Sequence, residues 1–118
     1  MSTTKYKTDS YPYKVYTALL TQSGTDAPVA IVLENTIGEI VWSYDSIGFY
    51  KATLLNSFPY GKTVFLFGNT YSSVNLVADC LDYNISNSVM TLGVFSISIG
   101  NPTDSSLGNT PIEIRVYN

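Results

Sequence analysis

Short runs of strand-forming residues, separated by turn-forming residues at regular intervals, constrain the fold of this chain more than any other feature. Such runs are typical of β-sandwiches and barrels. No segment has a convincing helical period. We therefore predict an all-β, single-domain β-sandwich of about eight strands, jelly-roll-like or immunoglobulin-like, with a flattened barrel as the alternative. The predicted strands are residues 13–22, 29–34, 39–44, 49–55, 63–68, 76–84, 89–99 and 112–117.

Alternation of side chains within the runs assigns their faces. In the first run, Tyr16, Ala18 and Leu20 are predicted to share one face of the sheet. In the last run, Ile112 and Ile114 are predicted to point inward, with charged residues between them and after them pointing to solvent. Residues 49–55 also alternate well, with Tyr50, Ala52 and Leu54 on one face.

A hairpin is predicted near the start of the domain. Residues 29–34 and 39–44 are both strand-like, and the turn-forming residues 35–38 separate them. Because sequential strands so often pair, we expect these two to be neighbours in one sheet.

The length of 118 residues fits one domain. Residues 1–10 are polar and aperiodic and are predicted to form a flexible N-terminal arm, so that the folded domain is residues 11–118. No secretory signal is visible at the N-terminus, and no apolar run is long enough to cross a membrane. We therefore expect synthesis in a cytoplasm.

The charge content is low. Charged residues make up 13% of the chain, against about 25% in an ordinary domain, and the net charge is −3. The six basic residues are scattered and form no stripe, which argues against a nucleic-acid partner. Uncharged polar residues, or surface covered by partners, would account for the deficit.

The residues needed for common catalysis are missing. The chain has no histidine, so Ser-His-Asp and Cys-His arrangements are excluded within one chain. Cys80, the single cysteine, lies among acidic residues, which disfavour a reactive thiolate. Asp79 and Asp82 are three apart and would face opposite sides of a strand, so they form a poor acid pair, and their spacing matches no calcium loop. We expect no enzymatic activity, no metal and no cofactor.

Aromatic residues are abundant, with ten Tyr, five Phe and one Trp. Tyr and Trp are enriched at interfaces and also stack on sugar rings, although strands favour them for packing alone. Core packing, a subunit interface and a glycan platform therefore all stay open. The candidate interface residues are Tyr11, Tyr13, Tyr16, Trp42, Tyr44, Tyr50 and Tyr60.

Two segments resemble short, uncharacterised proteins of bacteriophages. They are YKVYTALLTQSGTDAPVAIVLENTIGEIVW, within a similarity that runs over residues 13–50, and the closing PIEIRVYN of residues 111–118. The resemblance covers somewhat under half of the chain and includes no catalytic motif. It implies a β domain associated with the virion, made in the host cytoplasm.

On this resemblance, the expected function is that of a non-enzymatic virion structural protein: a capsid decoration, head-fibre or tail-associated component. Its expected partners are copies of itself, with a trimer as our guess, and other virion proteins. The alternative is a receptor-binding module that recognises a host glycan through exposed aromatic residues. Low charge and abundant tyrosine are compatible with both functions.

Overall fold

The computed structural model describes residues 12–68, 76–82, 87–96 and 101–118. The predicted N-terminal arm and Tyr11 lie outside these residues, as do the ends of two predicted strands. The described residues contain eight strands and no helix. The strands are β1 (Tyr13–Thr21), β2 (Val29–Asn35), β3 (Val41–Ser46), β4 (Phe49–Thr53), β5 (Thr63–Phe67), β6 (Leu76–Asp82), β7 (Val89–Ser96) and β8 (Thr110–Tyr117).

The strands form two antiparallel sheets of four. Sheet A has the order β2-β1-β8-β5, and sheet B has the order β3-β4-β7-β6. The first and last strands therefore lie side by side in the middle of sheet A, while β2 and β5 form its edges. The predicted all-β, single-domain sandwich is confirmed, and its strand order, which the sequence pattern left open, is now defined.

The core lies between the two sheets. Tyr16, Ala18 and Leu20 of β1 are buried on one face, as the alternation predicted. Ile112 and Ile114 of β8 are buried beside them. Sheet B supplies the opposite side of the core: Trp42, Tyr50, Ala52, Met90, Leu92 and Val94. A hydrogen bond crosses the core: the indole N–H of Trp42 donates to the hydroxyl of Tyr16 at 3.2 Å.

The predicted hairpin between the second and third strands is wrong. β2 pairs with β1 in sheet A, whereas β3 pairs with β4 in sheet B. The connection turns the chain from one sheet to the other: Asn35 Oδ1 accepts from the backbone N–H groups of Ile37 and Gly38, each at 3.0 Å. Gly38 has a φ of 142°, which residues with a Cβ rarely adopt. The side chain of Asn35 thus forms a local turn that directs the chain away from sheet A.

A polar cluster fixes the segment before β8 to both sheets. Asp104 accepts from the N–H of Gly48 at 2.7 Å and from the hydroxyl of Tyr44 at 2.8 Å. Gln22, which follows β1, accepts from the N–H of Ser105 at 2.8 Å. Among the described residues, no buried side-chain nitrogen or oxygen is left without a hydrogen-bond partner. The buried polar side chains of the described residues are therefore all hydrogen-bonded.

Candidate interaction surface

β2 is an edge strand that exposes a continuous apolar run. Val29, Ile31, Val32 and Leu33 are between 47% and 66% exposed. Glu34 is the only charged residue of this strand. Long, apolar edge strands are sites for pairing with another chain, and proteins usually protect them with Lys, Pro or charged side chains. β2 has no Lys, Arg or Pro within its seven residues.

A β-bulge lets this strand expose apolar side chains on both faces. Thr17 of β1 is opposite Glu34, but the next residue, Ala18, is opposite Val32. Leu33 is therefore the extra residue, which changes the alternation along β2. Ile31 shares the outer face of sheet A with its partner Leu19, and Val32 shares the inner face with Ala18.

The hydrogen bonds of β1 determine which backbone groups of β2 point outward. Both backbone groups of Val15 bond to Thr36, so Val15 faces the β2 side. Residues of an antiparallel strand alternate in the side to which they bond, so Leu19 also faces β2 and bonds to its partner Ile31. The N–H and C=O groups of Ala30 and Val32 consequently point away from β1. Within the described residues, no strand pairs with them.

A cleft of about 530 Å³ opens between the edges of the two sheets. Ala30 and Val32 of β2 contribute to its lining on one side, and Ile40 and Trp42 on the other. Glu39, which is exposed, adds a carboxylate to the lining. The cleft therefore continues the apolar surface of β2 onto the inner side of the strand.

The outer face of sheet A carries an aromatic group where the central strands β1 and β8 pair at the start of β1. The rings of Tyr13 and Tyr117 lie 5.0 Å apart, and the guanidinium of Arg115 lies 4.8 Å from the ring of Tyr13. Arg115 is also paired with Glu113, and this hydrogen bond raises the pKa of the guanidinium further above its usual value. We call Tyr13, Arg115 and Tyr117 the tyrosine patch. The loop with Tyr60 adjoins it, because the N–H of Tyr117 donates to the carbonyl of Lys62 at 2.8 Å.

The structure separates the aromatic residues that the sequence grouped as candidate interface residues. Tyr16 and Tyr50 are buried in the core and offer no surface to a partner, because the alternation of β1 and β4 turns both rings inward. Trp42 is also almost fully buried, at the cleft. Tyr44 is half-buried and bonded to Asp104.

The remaining candidates keep some accessible surface. Tyr13 is half-buried within the tyrosine patch, and Tyr60 is 71% exposed. Among the candidates that the structure describes, Tyr13, Tyr60 and the half-buried Tyr44 therefore keep accessible surface.

Sequence reasoning missed the apolar residues of β2 and the aromatic residue Tyr117. The run VAIVL is visible in the sequence, but a continuous apolar run is typical of a strand buried on both faces. The low charge of this run indicates an interaction surface only once the strand order shows that β2 is an edge strand. Tyr117 could have been found from its alternation with Arg115 on the outward face of the last strand.

The described residues contain no group of three or more His, Cys, Asp and Glu side chains that could hold a metal ion. Nor does the described part of the chain include a helix with the length and apolar character to span a membrane.

Comparison with known proteins gave no match. No family model matches the chain, and neither the curated proteins nor the solved structures include a significant match to it.

Proposed function

We propose that this chain is a non-enzymatic structural protein of a bacteriophage particle, in which it serves as a capsid decoration, head-fibre or tail-associated component. It acts by binding other protein subunits, including copies of itself, and it is located in the virion. The observation that carries this proposal is the exposed apolar edge of β2, with Val29, Ile31, Val32 and Leu33 accessible.

The edge supports assembly because it is unfavourable in an isolated molecule. Burial of apolar side chains contributes about 25 cal/mol per Å² of area removed from water. Covering β2 would remove four large apolar side chains from solvent and pair its outward backbone groups. A component of a particle is covered in this way once it is assembled. The resemblance of residues 13–50 and 111–118 to bacteriophage proteins is the reason for proposing a phage particle.

The composition is compatible with this function. The cores of protein interfaces are depleted of charged residues, and only 13% of this chain is charged. The six basic residues remain too scattered for a nucleic-acid footprint, so the proposed partners are proteins.

The direct test is to look for the protein in purified particles. Particles of the phage that encodes the chain would be banded on a density gradient and analysed by quantitative mass spectrometry. We expect the protein in a fixed ratio to the major capsid or tail subunits, retained after a high-salt wash. Its presence in the lysate together with its absence from intact particles would refute the proposal.

A glycan-binding module is the second candidate function, and the tyrosine patch favours it. The patch combines two aromatic rings in tilted contact with the donor groups of Arg115, and the exposed Tyr60 lies on the adjoining loop. Aromatic faces and planar donors are suited to sugar rings.

A glycan array with the purified chain tests this function. Binding that is lost in Tyr117→Ala and Tyr60→Ala, but kept in Leu55→Ala at another exposed apolar site, would establish it. An array without signal would reject it.

A further inference from the structure

We propose that β2 pairs with β2 of a second copy of this chain, antiparallel and about a two-fold axis at Ile31. The two four-stranded sheets A would then form one continuous eight-stranded sheet across two protomers. This inference rests on the proposed function. It adds to that function by identifying a second copy of the chain as the first partner of the β2 edge. It replaces the three-fold assembly expected from the sequence.

The outward backbone groups select the register. Ala30 and Val32 are the residues whose N–H and C=O groups point away from β1, as the bonding of Val15 and Ile31 shows. With the axis at Ile31, Ala30 of one copy is opposite Val32 of the other, and the reverse pair follows by symmetry. All four groups of each strand then have partners, because each opposed pair exchanges two hydrogen bonds.

The register with its axis one residue later is excluded by the bulge. An axis at Val32 would place Ala30 opposite Glu34 of the second copy. The backbone groups of Glu34 face Thr17 of its own β1, because Leu33 is the extra residue. The outward groups of Ala30 would then remain unpaired. The bulge that exposes Leu33 therefore also excludes this register for self-pairing.

The charges and side chains agree with this register. Glu34, the only charged residue of β2, would be opposite Pro28, which has no N–H to lose. The two Glu34 side chains would be six strand positions, or about 20 Å, apart, which exceeds the Debye length of about 8 Å at physiological salt. Ile31 would contact Ile31 of the second copy on the outer face, and Val29 would contact Leu33.

Self-pairing would also cover the inner side of the edge. Ala30 and Val32 contribute to the cleft between the sheets, together with Ile40 and Trp42. The second copy would place its own Ala30 and Val32 beside them on the same face. Edge pairing therefore adds apolar neighbours on both faces of β2, whereas a partner on the outer face alone would leave Val32 exposed.

Cysteine cross-linking tests the register directly. Ile31→Cys and, as the matched control, Val29→Cys would each be made in the full chain with Cys80→Ser, which removes the single native cysteine. At the axis, the two residues 31 have Cα atoms about 4.5 Å apart, which suits a disulfide. The two residues 29 would be about 14 Å apart, beyond the reach of one.

Mild oxidation should convert the Ile31→Cys variant into a covalent dimer and leave the Val29→Cys variant uncross-linked. Equal cross-linking of both variants, or none in either, would overturn the proposed register.

Native mass provides an independent test. Light scattering behind a sizing column should give the unmodified chain twice its mass of 12.9 kDa. Ile31→Lys, which opposes two charges at the axis, should halve the measured mass. Leu55→Lys, at an exposed apolar residue outside β2, should leave the dimer intact. Circular dichroism would confirm that both variants remain folded.

The outcomes separate this inference from the proposed function. A monomer at all concentrations, or a trimer that Ile31→Lys does not dissociate, would overturn pairing through β2. If such a protein were still found in purified particles, the structural function would stand while the two-fold contact fell. If the protein were a dimer in solution but absent from particles, the two-fold contact would stand while the structural function fell.

Discussion

The hydroxyl of Tyr50, in the middle of sheet B, lies 3.1 Å from Oδ1 of Asp104, in the segment that precedes β8 of sheet A. The same hydroxyl lies 2.8 Å from Oε1 of Gln22, which follows β1. A phenol has one proton, so it is shared between two acceptors that belong to the other half of the sandwich. The Tyr50 side chain thus connects both sheets and the segment between them.

The first prediction concerns this connection. Tyr50→Phe removes the donor while keeping the ring, and we expect the free energy of unfolding to fall by about 1–3 kcal/mol, because buried acceptors lose a partner. Denaturant unfolding followed by tryptophan fluorescence would measure it. Tyr60→Phe, at a residue that is 71% exposed, is the control and should change stability by less than about 0.5 kcal/mol. Equal effects of the two substitutions would contradict this role of Tyr50.

The second prediction concerns alkaline pH. Burial, together with the hydrogen bond to Asp104 and its charge, raises the pKa of Tyr50 well above 10.0, the value expected for an unperturbed tyrosine. Above pH 10 the unfolded chain releases this proton while the folded chain retains it. Because the unfolded state then binds fewer protons, the free energy of unfolding must fall as pH rises, by at most about 1.4 kcal/mol per pH unit for this group.

A comparison of wild type with Tyr50→Phe isolates that contribution. Urea unfolding at a series of pH values from neutral to strongly alkaline should give a steeper loss of stability in the wild type above pH 10. The hydrogen bond to Asp104 raises the pKa of Tyr44 as well, so some slope remains in the variant. Parallel curves for the two proteins would show that Tyr50 does not carry the effect.

The third prediction concerns a close approach of two backbone segments. Gly48 has a φ of +74°, and a Cβ there would lie 2.6 Å from the N of Thr103 and 2.7 Å from the O of Val94. Neither backbone atom can move without breaking the hydrogen bond between Thr103 N and Val94 O. Gly48→Ala should therefore destabilise the fold by about 3 kcal/mol or more.

Gly24→Ala is the matched control for this prediction. Gly24 also has a positive φ, of +57°, but a Cβ there would meet nothing within 4 Å. It should cost only the backbone strain of about 1 kcal/mol. Thermal unfolding of both variants would measure the difference, and similar losses would mean that strain, and not the contact with Thr103, governs Gly48.

The regular strands could be predicted from the sequence, and their arrangement could not. The two-residue period assigned the faces of β1 and β8 correctly, because Tyr16, Ala18, Ile112 and Ile114 follow the pleat without interruption. Residues 29–34 and 39–44 have the pattern of a hairpin, but the local hydrogen bonds of Asn35 send the chain to the other sheet. Local periodicity carries no information about which strand becomes an edge.

The candidate interaction surface could not be predicted from the sequence for the same reason. An apolar run such as that of β2 has one appearance in sequence whether it is buried or exposed, and only the strand order distinguishes the two. Aromatic residues are equally ambiguous, since Tyr50 is in the core and Tyr60 is exposed. The hydroxyl of Tyr50 is satisfied by Gln22 and Asp104, which are distant in sequence, so no local pattern could indicate these partners.

The last prediction concerns the turn that separates β2 from sheet B. Asn35 accepts two backbone hydrogen bonds through Oδ1 and donates one through Nδ2 to the carbonyl of Gly38 at 2.8 Å. Asn35→Ala removes all three contacts, and we expect a loss of about 1 kcal/mol because the site is exposed. Asn35→Asp keeps an acceptor in the same position and should lose less. Denaturant unfolding should therefore rank stability as wild type, then Asn35→Asp, then Asn35→Ala. The reverse order of the two variants would show that the turn depends on its glycine and not on the side chain of Asn35.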